Sequence, residues 1–430
     1  MSTPPAGPED RSAPSRLRRI AIDVTPLRVS RDFRLVWSGL LISELGWQFS
    51  LVAVFVQTTA ITRSTLAVGT TGLVGLAALV AGTLIGGRVL DAVDRRTLLI
   101  IAQLGFMAAA GLLFAGAVSG NPPLGLIYTG VALFAGFSAI DGPTRSAMAP
   151  RLVGNELLPS AAALNQVVWN GTALVGPAIA GIVIQRHGVA VAYFIDLVTY
   201  LAMLAAALLI HRMPPERREG GVEEPTGWAA VREGFSYLKT SRLIQSTFVI
   251  DLIAMVFGLP RALFTFLAAT RFHENAAAIG LLFSAPAVGA LLGALSSGWT
   301  HRVRRQGDAV IVAVAGWGLA IVLFGLSGSN LAFALAMLAV AGWSDVISAI
   351  FRSTILQVTA PDRLRGRLSG LHILVVTGGP RLGDFEAGLV AAWFSPTISV
   401  VSGGLACILG AGIVAGAYPE LRRYRAGKAS

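Results

Sequence analysis

Charge is what this sequence has least of. Only 13% of its 430 residues are Asp, Glu, Lys or Arg, about half the share that a water-facing domain carries. Cysteine is nearly absent too: Cys407 is the single one and sits in an apolar run, which excludes a disulfide framework and a cysteine metal site. Histidine is sparse. His187, His211, His273, His301 and His372 fall mostly at the ends of apolar runs, and none forms a metal-ligand pair at helical spacing. A nucleotide-binding glycine loop, a nucleophile elbow and a metal motif are all missing, so neither an enzyme nor a resident cofactor is expected. The opening stretch, rich in Pro, Ser and Arg, lacks the continuous apolar core of a signal peptide, and no cleavage is expected. The net charge is +11, yet the basic residues are scattered at the ends of apolar segments, which argues against a nucleic-acid partner.

What the chain does have is oil. Hydrophobic residues make up 54% of it and the mean hydropathy is +0.69, with apolar runs recurring along the whole length. That composition predicts a polytopic membrane protein. Crossing about 30 Å of hydrocarbon at 1.5 Å per residue takes roughly 18 to 25 residues. Twelve stretches qualify, at about 35–58, 68–90, 98–118, 126–148, 161–184, 191–210, 244–268, 279–298, 309–326, 331–352, 371–393 and 398–417. Helices are expected because lipid offers the backbone no hydrogen-bond partners and the runs lack strand-like alternation.

Orientation follows from Lys and Arg. Only Arg63, Arg186 and Arg271 fall in alternate loops; Arg88, Arg261, Arg352 and Arg381 fall within spans, Arg145, at the end of the fourth, is counted with the inner boundary, and the rest collect on one side. That bias places both termini in the cytoplasm of a multi-pass protein of the cell membrane. The expected plan is an N-terminal cytoplasmic arm (1–33), a six-helix bundle (34–211), a cytoplasmic linker (212–242), a second six-helix bundle (243–418) and a tail (419–430). In the linker, Trp228, Val231, Phe235 and Leu238 recur at helical spacing, which fits an amphipathic helix either on the membrane surface or in solvent.

"GRVLDAVDRR", Gly87 to Arg96, resembles the loop signature of the major facilitator superfamily, with Asp94 where that signature carries glycine. The resemblance implies an all-α fold of two pseudo-symmetric six-helix bundles and a cytoplasmic gate at Gly87, Asp91, Arg95 and Arg96. Asp91 is suited to accept hydrogen bonds at a neighbouring helix N-terminus. "SSGWTHRVRR", after the eighth span, is a degenerate second copy. "GTALVGPAIAG", Gly171 to Gly181, resembles the glycine-proline signature that the superfamily carries chiefly in exporters. "VAVFVQ", Val52 to Gln57, and "TAPDRLRGR", Thr359 to Arg367, are similar to the siderophore-exporter branch of enterobactin-exporter type. This resemblance spans almost the whole chain and implies a secondary active, proton-coupled exporter of a siderophore or similar amphiphile. The alternative is a broad-specificity multidrug antiporter. Partners implied are a small-molecule substrate, protons and the lipid bilayer.

Charges at membrane depth mark candidate function, since each costs at least ~2.5–3.5 kcal/mol near the centre of a span. Asp196 and Asp251 read as helix glue. Asp345 and Arg352, seven residues apart, return to one helix face. Arg381, Asp384 and Glu386 share a segment with Gly378, Gly379, Pro380 and Gly383, a natural place for a break in the helix, and Arg381 is spaced to pair with Asp384. Proton coupling is assigned to Glu44, Asp384 and Glu386. Cargo contacts are assigned to Trp47, Gln57, Asn165, Trp169, Asn170, Arg261, Phe264, Trp343, Asp345, Arg352 and Arg381, a set of aromatic, polar and basic groups that suits an anionic aromatic amphiphile.

Overall fold

The computed structural model describes residues 23–214, 228–272 and 276–425; the side chains of 87, 88, 90, 91, 228–231, 362 and 363 lie outside that description. Among the described residues all regular structure is helical. The first half contains α1 (Arg31–Thr62), α2 (Thr65–Ala92), α3 (Arg95–Val118), α4 (Leu124–Val153), α5 (158–187) and α6 (189–209). After α7 (Trp228–Thr240) come α8 (Arg242–Phe257), α9 (Phe264–Arg271), α10 (Ala276–Ser296), α11 (Gln306–Gly325), α12 (Leu331–Thr359), α13 (Asp362–Trp393) and α14 (Pro396–Ala417).

Ten described helical segments are long and apolar enough to cross a membrane. One of them, Leu158–Leu209, turns back at Gly188, where φ is 81°, a backbone conformation that favours glycine, and so crosses twice as α5 and α6. Another is α8 with α9. The charged helix α13 supplies the remaining crossing, which gives twelve in two six-helix bundles. Hydroxyl and amide side chains start several of them. Ser30, Ser64, Asn330 and Ser395 accept hydrogen bonds from the first-turn N–H groups of α1, α2, α12 and α14. The outer surface is oily: Val312, Val358, Leu409 and Ile413 are each about two-thirds exposed, as residues facing acyl chains should be.

The halves meet along two crossings. α2 packs on α13 and α5 packs on α10, so the second helix of each half lies against the fifth of the other. Glycines make the approach possible. A Cβ on Gly69 would sit 3.0 Å from Gly388 Cα, and one on Gly181 would sit 3.0 Å from Gly280 Cα.

One expectation is corrected. The break falls in the seventh span, not the eleventh. α8 stops at Phe257, Pro260 precedes a single 3-10 turn at Arg261–Leu263, and α9 resumes at Phe264. By contrast α13 runs unbroken through Pro380. Its glycines serve packing instead: a Cβ on Gly379 would lie 2.7 Å from Met255 Cβ, and one on Gly383 2.9 Å from the Met255 carbonyl. The linker segment is helical over Trp228–Thr240, with one side resting on protein and Phe235 left half-exposed. Leu238 is buried among Ile244, Leu368 and Leu371, and Glu233 pairs with Arg367 of α13 at 2.5 Å. The arm expected over the first 22 residues and the Trp228 and Val231 side chains lie outside the described residues.

Candidate functional site

A cavity of about 1450 Å³ lies between the halves. Phe33 and Trp37 at the start of α1, Leu152 at the end of α4, Leu158 at the start of α5 and Arg367 and Leu371 near the start of α13 all line it. These residues sit at one end of the bundle, so the cavity opens there. The opposite end is shut. Thr59 and Thr265 share a hydrogen bond of 2.7 Å across the halves, Thr65 Oγ1 donates to the Gly388 carbonyl at 3.0 Å, and the Gly181–Gly280 contact closes the other crossing.

The first half supplies a charged patch on an aromatic wall. Arg145 of α4 holds Asp141, one turn earlier, at 2.7 Å and faces Glu44 of α1 at 3.8 Å. Gln103 of α3 donates to the other Asp141 oxygen at 3.0 Å. Beside this patch the Trp47 ring meets Phe134 edge-on with centroids 4.9 Å apart, and Tyr200 stacks on Phe106 at 5.3 Å. All four rings line the cavity. Such a surface can hold a flat aromatic group while a guanidinium holds its anionic substituents.

The second half presents arginines. Arg261, in the turn between α8 and α9, pairs with Asp384 of α13 at 3.0 Å, while the Ala262 N–H donates to the other Asp384 oxygen at 3.2 Å. The broken helix therefore offers its freed backbone donor to a carboxylate. Arg381 has no carboxylate within ion-pair distance among the described residues. Its guanidinium donates to the Thr377 carbonyl at 3.4 Å and crosses Gly75 of α2, where a Cβ would stand 3.3 Å from its Nε. Deeper in this half Arg352 pairs with Asp251 at 2.9 Å and with Asp345 at 3.6 Å, and His372 Nδ1 lies 3.4 Å from Asp251.

The structure divides the sequence-derived site residues. Glu44, Trp47, Asn165, Trp169, Arg261, Phe264, Arg381 and Asp384 line the cavity. Gln57 does not; it accepts from the Tyr193 hydroxyl at 2.9 Å inside the first bundle. Asn170 points elsewhere and accepts from Gln166. Trp343 Nε1 donates to Ser296 at 3.0 Å, away from the cavity. Asp345 lines a separate space of about 70 Å³ beside Pro380, and Arg352 is buried with Asp251. Glu386 is off the cavity wall and lies near Cys407 of α14. The expected Arg381–Asp384 pair is replaced by Arg261–Asp384, because the turn after α8 brings a guanidinium and a free N–H to the same carboxylate.

Asp141 and Arg145 escaped the sequence reading. Arg145 counted as an inner-boundary charge, although an acid and an arginine four residues apart at the end of a span is a legible signal. At the gate motif the side chains of Gly87 and Asp91 lie outside the described residues. Asp94 does the capping expected of Asp91, accepting from the Arg96 N–H at 2.9 Å and the Thr97 N–H at 3.3 Å. Arg96 reaches the end of α6, donating to the carbonyls of Ala207 at 2.9 Å and Leu208 at 2.5 Å, and the Arg95 N–H donates to Met213. These bonds fasten the start of α3 to the segment that leaves the first bundle.

The family model for transmembrane secretion effectors matches residues 22–428. The enterobactin exporter EntS of Citrobacter koseri is 29% identical over 413 residues, covering 94% of this chain and 96% of its own length. EntS of Salmonella typhimurium is likewise 29% identical over 411 residues, with the same coverage. A transporter of the POT family in complex with 5-aminolevulinic acid superposes with a TM-score of 0.73 at 11% identity, covering 92% of this chain and 97% of that one. The nucleoside transporter NupG gives 0.70 at 14% identity, covering 92% and all of its own chain. At such identities the solved structures share the fold alone.

Proposed function

Because the chain belongs to the transmembrane secretion effectors of the major facilitator superfamily, we propose that it exports a siderophore-like anionic aromatic amphiphile from the cytoplasm in exchange for protons. The observation that carries this reading is the pairing, across one cavity, of an aromatic wall bearing Arg145 with Arg381, which has no ion pair among the described residues. A catecholate or phenolate cargo would lay its rings on Trp47, Phe134, Phe106 and Tyr200 and its anionic oxygens between the two guanidiniums. With both termini in the cytoplasm, as the distribution of Lys and Arg supports, the open end faces the compartment from which an exporter loads. The resemblance to EntS, an enterobactin exporter, supports the same class of cargo.

Transport then requires the Gly69–Gly388 and Gly181–Gly280 crossings to part while the inner ends close. Gly87, Asp91, Arg95 and Arg96 form the inner gate in this scheme, and the α3 cap at Asp94 gives that gate a rigid base. Glu44 is the cavity carboxylate placed to sense the cargo, since it shares Arg145 with Asp141 and loses that partner when an anion takes it. Asp384 remains committed to Arg261.

The test is transport by purified protein in sealed vesicles, with enterobactin on the side of the cytoplasmic face and a pH gradient imposed across the membrane. Gradient-driven movement of enterobactin, absent in protein-free vesicles, supports the reading. Equal transport of unrelated organic cations would replace it with a broad-specificity drug antiporter, and an unchanged rate without the gradient would remove the proton coupling.

A further inference from the structure

Asp196 of α6 is completely buried, on the side of the helix that faces α1. A Cβ on Gly46 of α1 would stand 3.0 Å from one of its oxygens, so the glycine gives the carboxyl its place. The hydroxyls of Ser50 and Tyr200 flank it, but neither meets it in good hydrogen-bond geometry, and both carboxyl oxygens are left unsatisfied. Every other fully buried acid described here has an arginine: Asp141 has Arg145, Asp251 has Arg352 and Asp384 has Arg261. Asp196 has no basic partner among the described residues. The charged and titratable groups around it are Glu44 of α1, the Asp141–Arg145 pair of α4 reached through Tyr200, and Tyr193 and Tyr200 of its own helix; α3 contributes the uncharged Phe106 ring. A desolvated carboxylate with no counter-charge is far less favourable than the neutral acid.

Tyr200 links this buried acid to the cargo space. Its ring is stacked on Phe106, packs near Phe134 and lines the cavity, while its hydroxyl end lies beside Asp196. A molecule seated on the aromatic wall therefore touches the same side chain that borders the carboxyl.

We propose that Asp196 is the proton carrier of the transport cycle, holding a proton while the cavity is open and empty and releasing it through Tyr200 when cargo seats on the aromatic wall. In the release step the Asp196 O–H bond breaks and its proton passes to the Tyr200 oxygen. Tyr200 gives its own hydroxyl proton to water in the cavity, and the carboxylate left behind accepts hydrogen bonds from Ser50 and Tyr200. The inference rests on the proton-exchange reading above and gives the proton a residue.

Two measurements test it separately from that reading. The first needs no cargo: infrared difference spectra of the protein in lipid vesicles between alkaline and acid buffer. A protonated-carboxyl band in the wild type that is missing in Asp196→Asn supports the assignment, and identical spectra for the two proteins overturn it. The second is proton release on adding enterobactin. The wild type is expected to release protons, Asp196→Asn is expected to release none and to bind enterobactin with an affinity that has lost the wild type's dependence on pH, and Tyr200→Phe is expected to slow the release at least severalfold. Gradient-driven transport by Asp196→Asn at the wild-type rate would reduce Asp196 to a packing residue. Should Asp196→Asn fail to fold, the Tyr200→Phe release rate decides: an unslowed rate sinks the relay. Failure of the wild type to move enterobactin would count against the proposed function and leave the infrared result standing.

Discussion

Each half of the protein holds an arginine on its fourth helix between a carboxylate of that helix and a carboxylate of its first helix, yet the arginine meets the cavity in one half and is sealed off in the other. In the first half Arg145 is tight to Asp141 on its own helix, at 2.7 Å, and loose to Glu44, at 3.8 Å. In the second half Arg352 is tight to Asp251 across helices, at 2.9 Å, and loose to Asp345 on its own, at 3.6 Å. The first triad borders the cavity, with Arg145 16% and Glu44 24% exposed; in the second the tight pair is dry, Arg352 3% exposed and Asp251 wholly buried, and only the loose partner Asp345, 33% exposed, reaches a surface, away from that cavity. The same three groups can thus serve a guest or serve the architecture. What decides is whether water reaches them and whether the short bond lies within a helix or between two.

The largest effect should come from breaking the dry triad. Arg352→Met strands Asp251 and is expected to cost ~3–5 kcal/mol of stability, read as a fall in the thermal unfolding midpoint in lipid or detergent. Adding Asp251→Asn to that variant should recover most of the loss, because the stranded charge is gone. Arg145→Met is the counterpart in the wet triad. Cavity water can solvate Glu44 and Gln103 still donates to the buried Asp141, so the loss of stability should be smaller than for Arg352→Met. Enterobactin affinity should fall roughly tenfold to a hundredfold, the worth of hydrogen bonds from a charged donor, measured by equilibrium binding. Equal destabilisation by the two substitutions would erase the distinction between the triads.

Where the triads differ, the outer crossings match, and that symmetry can be broken on either side. Gly181→Val and Gly69→Val each drive a side chain into the backbone of the facing helix, and overpacking of this kind costs ~1–3 kcal/mol. Each should shift the population toward a form open at the outer end. Spin-label distances across α2–α13 and α5–α10 would report it, with similar shifts expected from both substitutions. An effect from one glycine alone would mean that only one crossing moves.

The number and length of the crossings were legible because lipid demands about twenty apolar residues for each. Their rotation was not. In helices apolar on every side, the face turned inward is set by small-residue contacts, and those become visible only once the partner is in place. Gly378, Gly379 and Gly383 thus read as a break when Gly379 and Gly383 receive Met255 and Val256 and Gly378 faces Leu76 of α2, whereas the true break after Phe257 is signalled by the short Gly258–Pro260 stretch. The same blindness to rotation put Gln57, Asn170 and Trp343 in the cavity and left Asp141 out. Asn165 and Trp169 were placed together because a spacing of four survives any rotation of the helix.

The smallest expected effect separates rings that border empty space from rings that only support it. Phe134 meets Trp47 edge-on at the cavity wall, so Phe134→Leu should remove an aromatic contact worth ~0.5–1.5 kcal/mol. Enterobactin affinity should drop by a few fold, and the unfolding midpoint should fall as well, since Phe134 is itself buried against Trp47. Phe264 also borders the cavity, but it is fully buried against Phe283 and Phe324, with centroids 5.1 and 5.9 Å away. Phe264→Leu should lower the unfolding midpoint and leave affinity alone. If both variants lose affinity equally, cargo rests between the halves instead of on the first, and the division of labour between them must be drawn through the middle of the cavity.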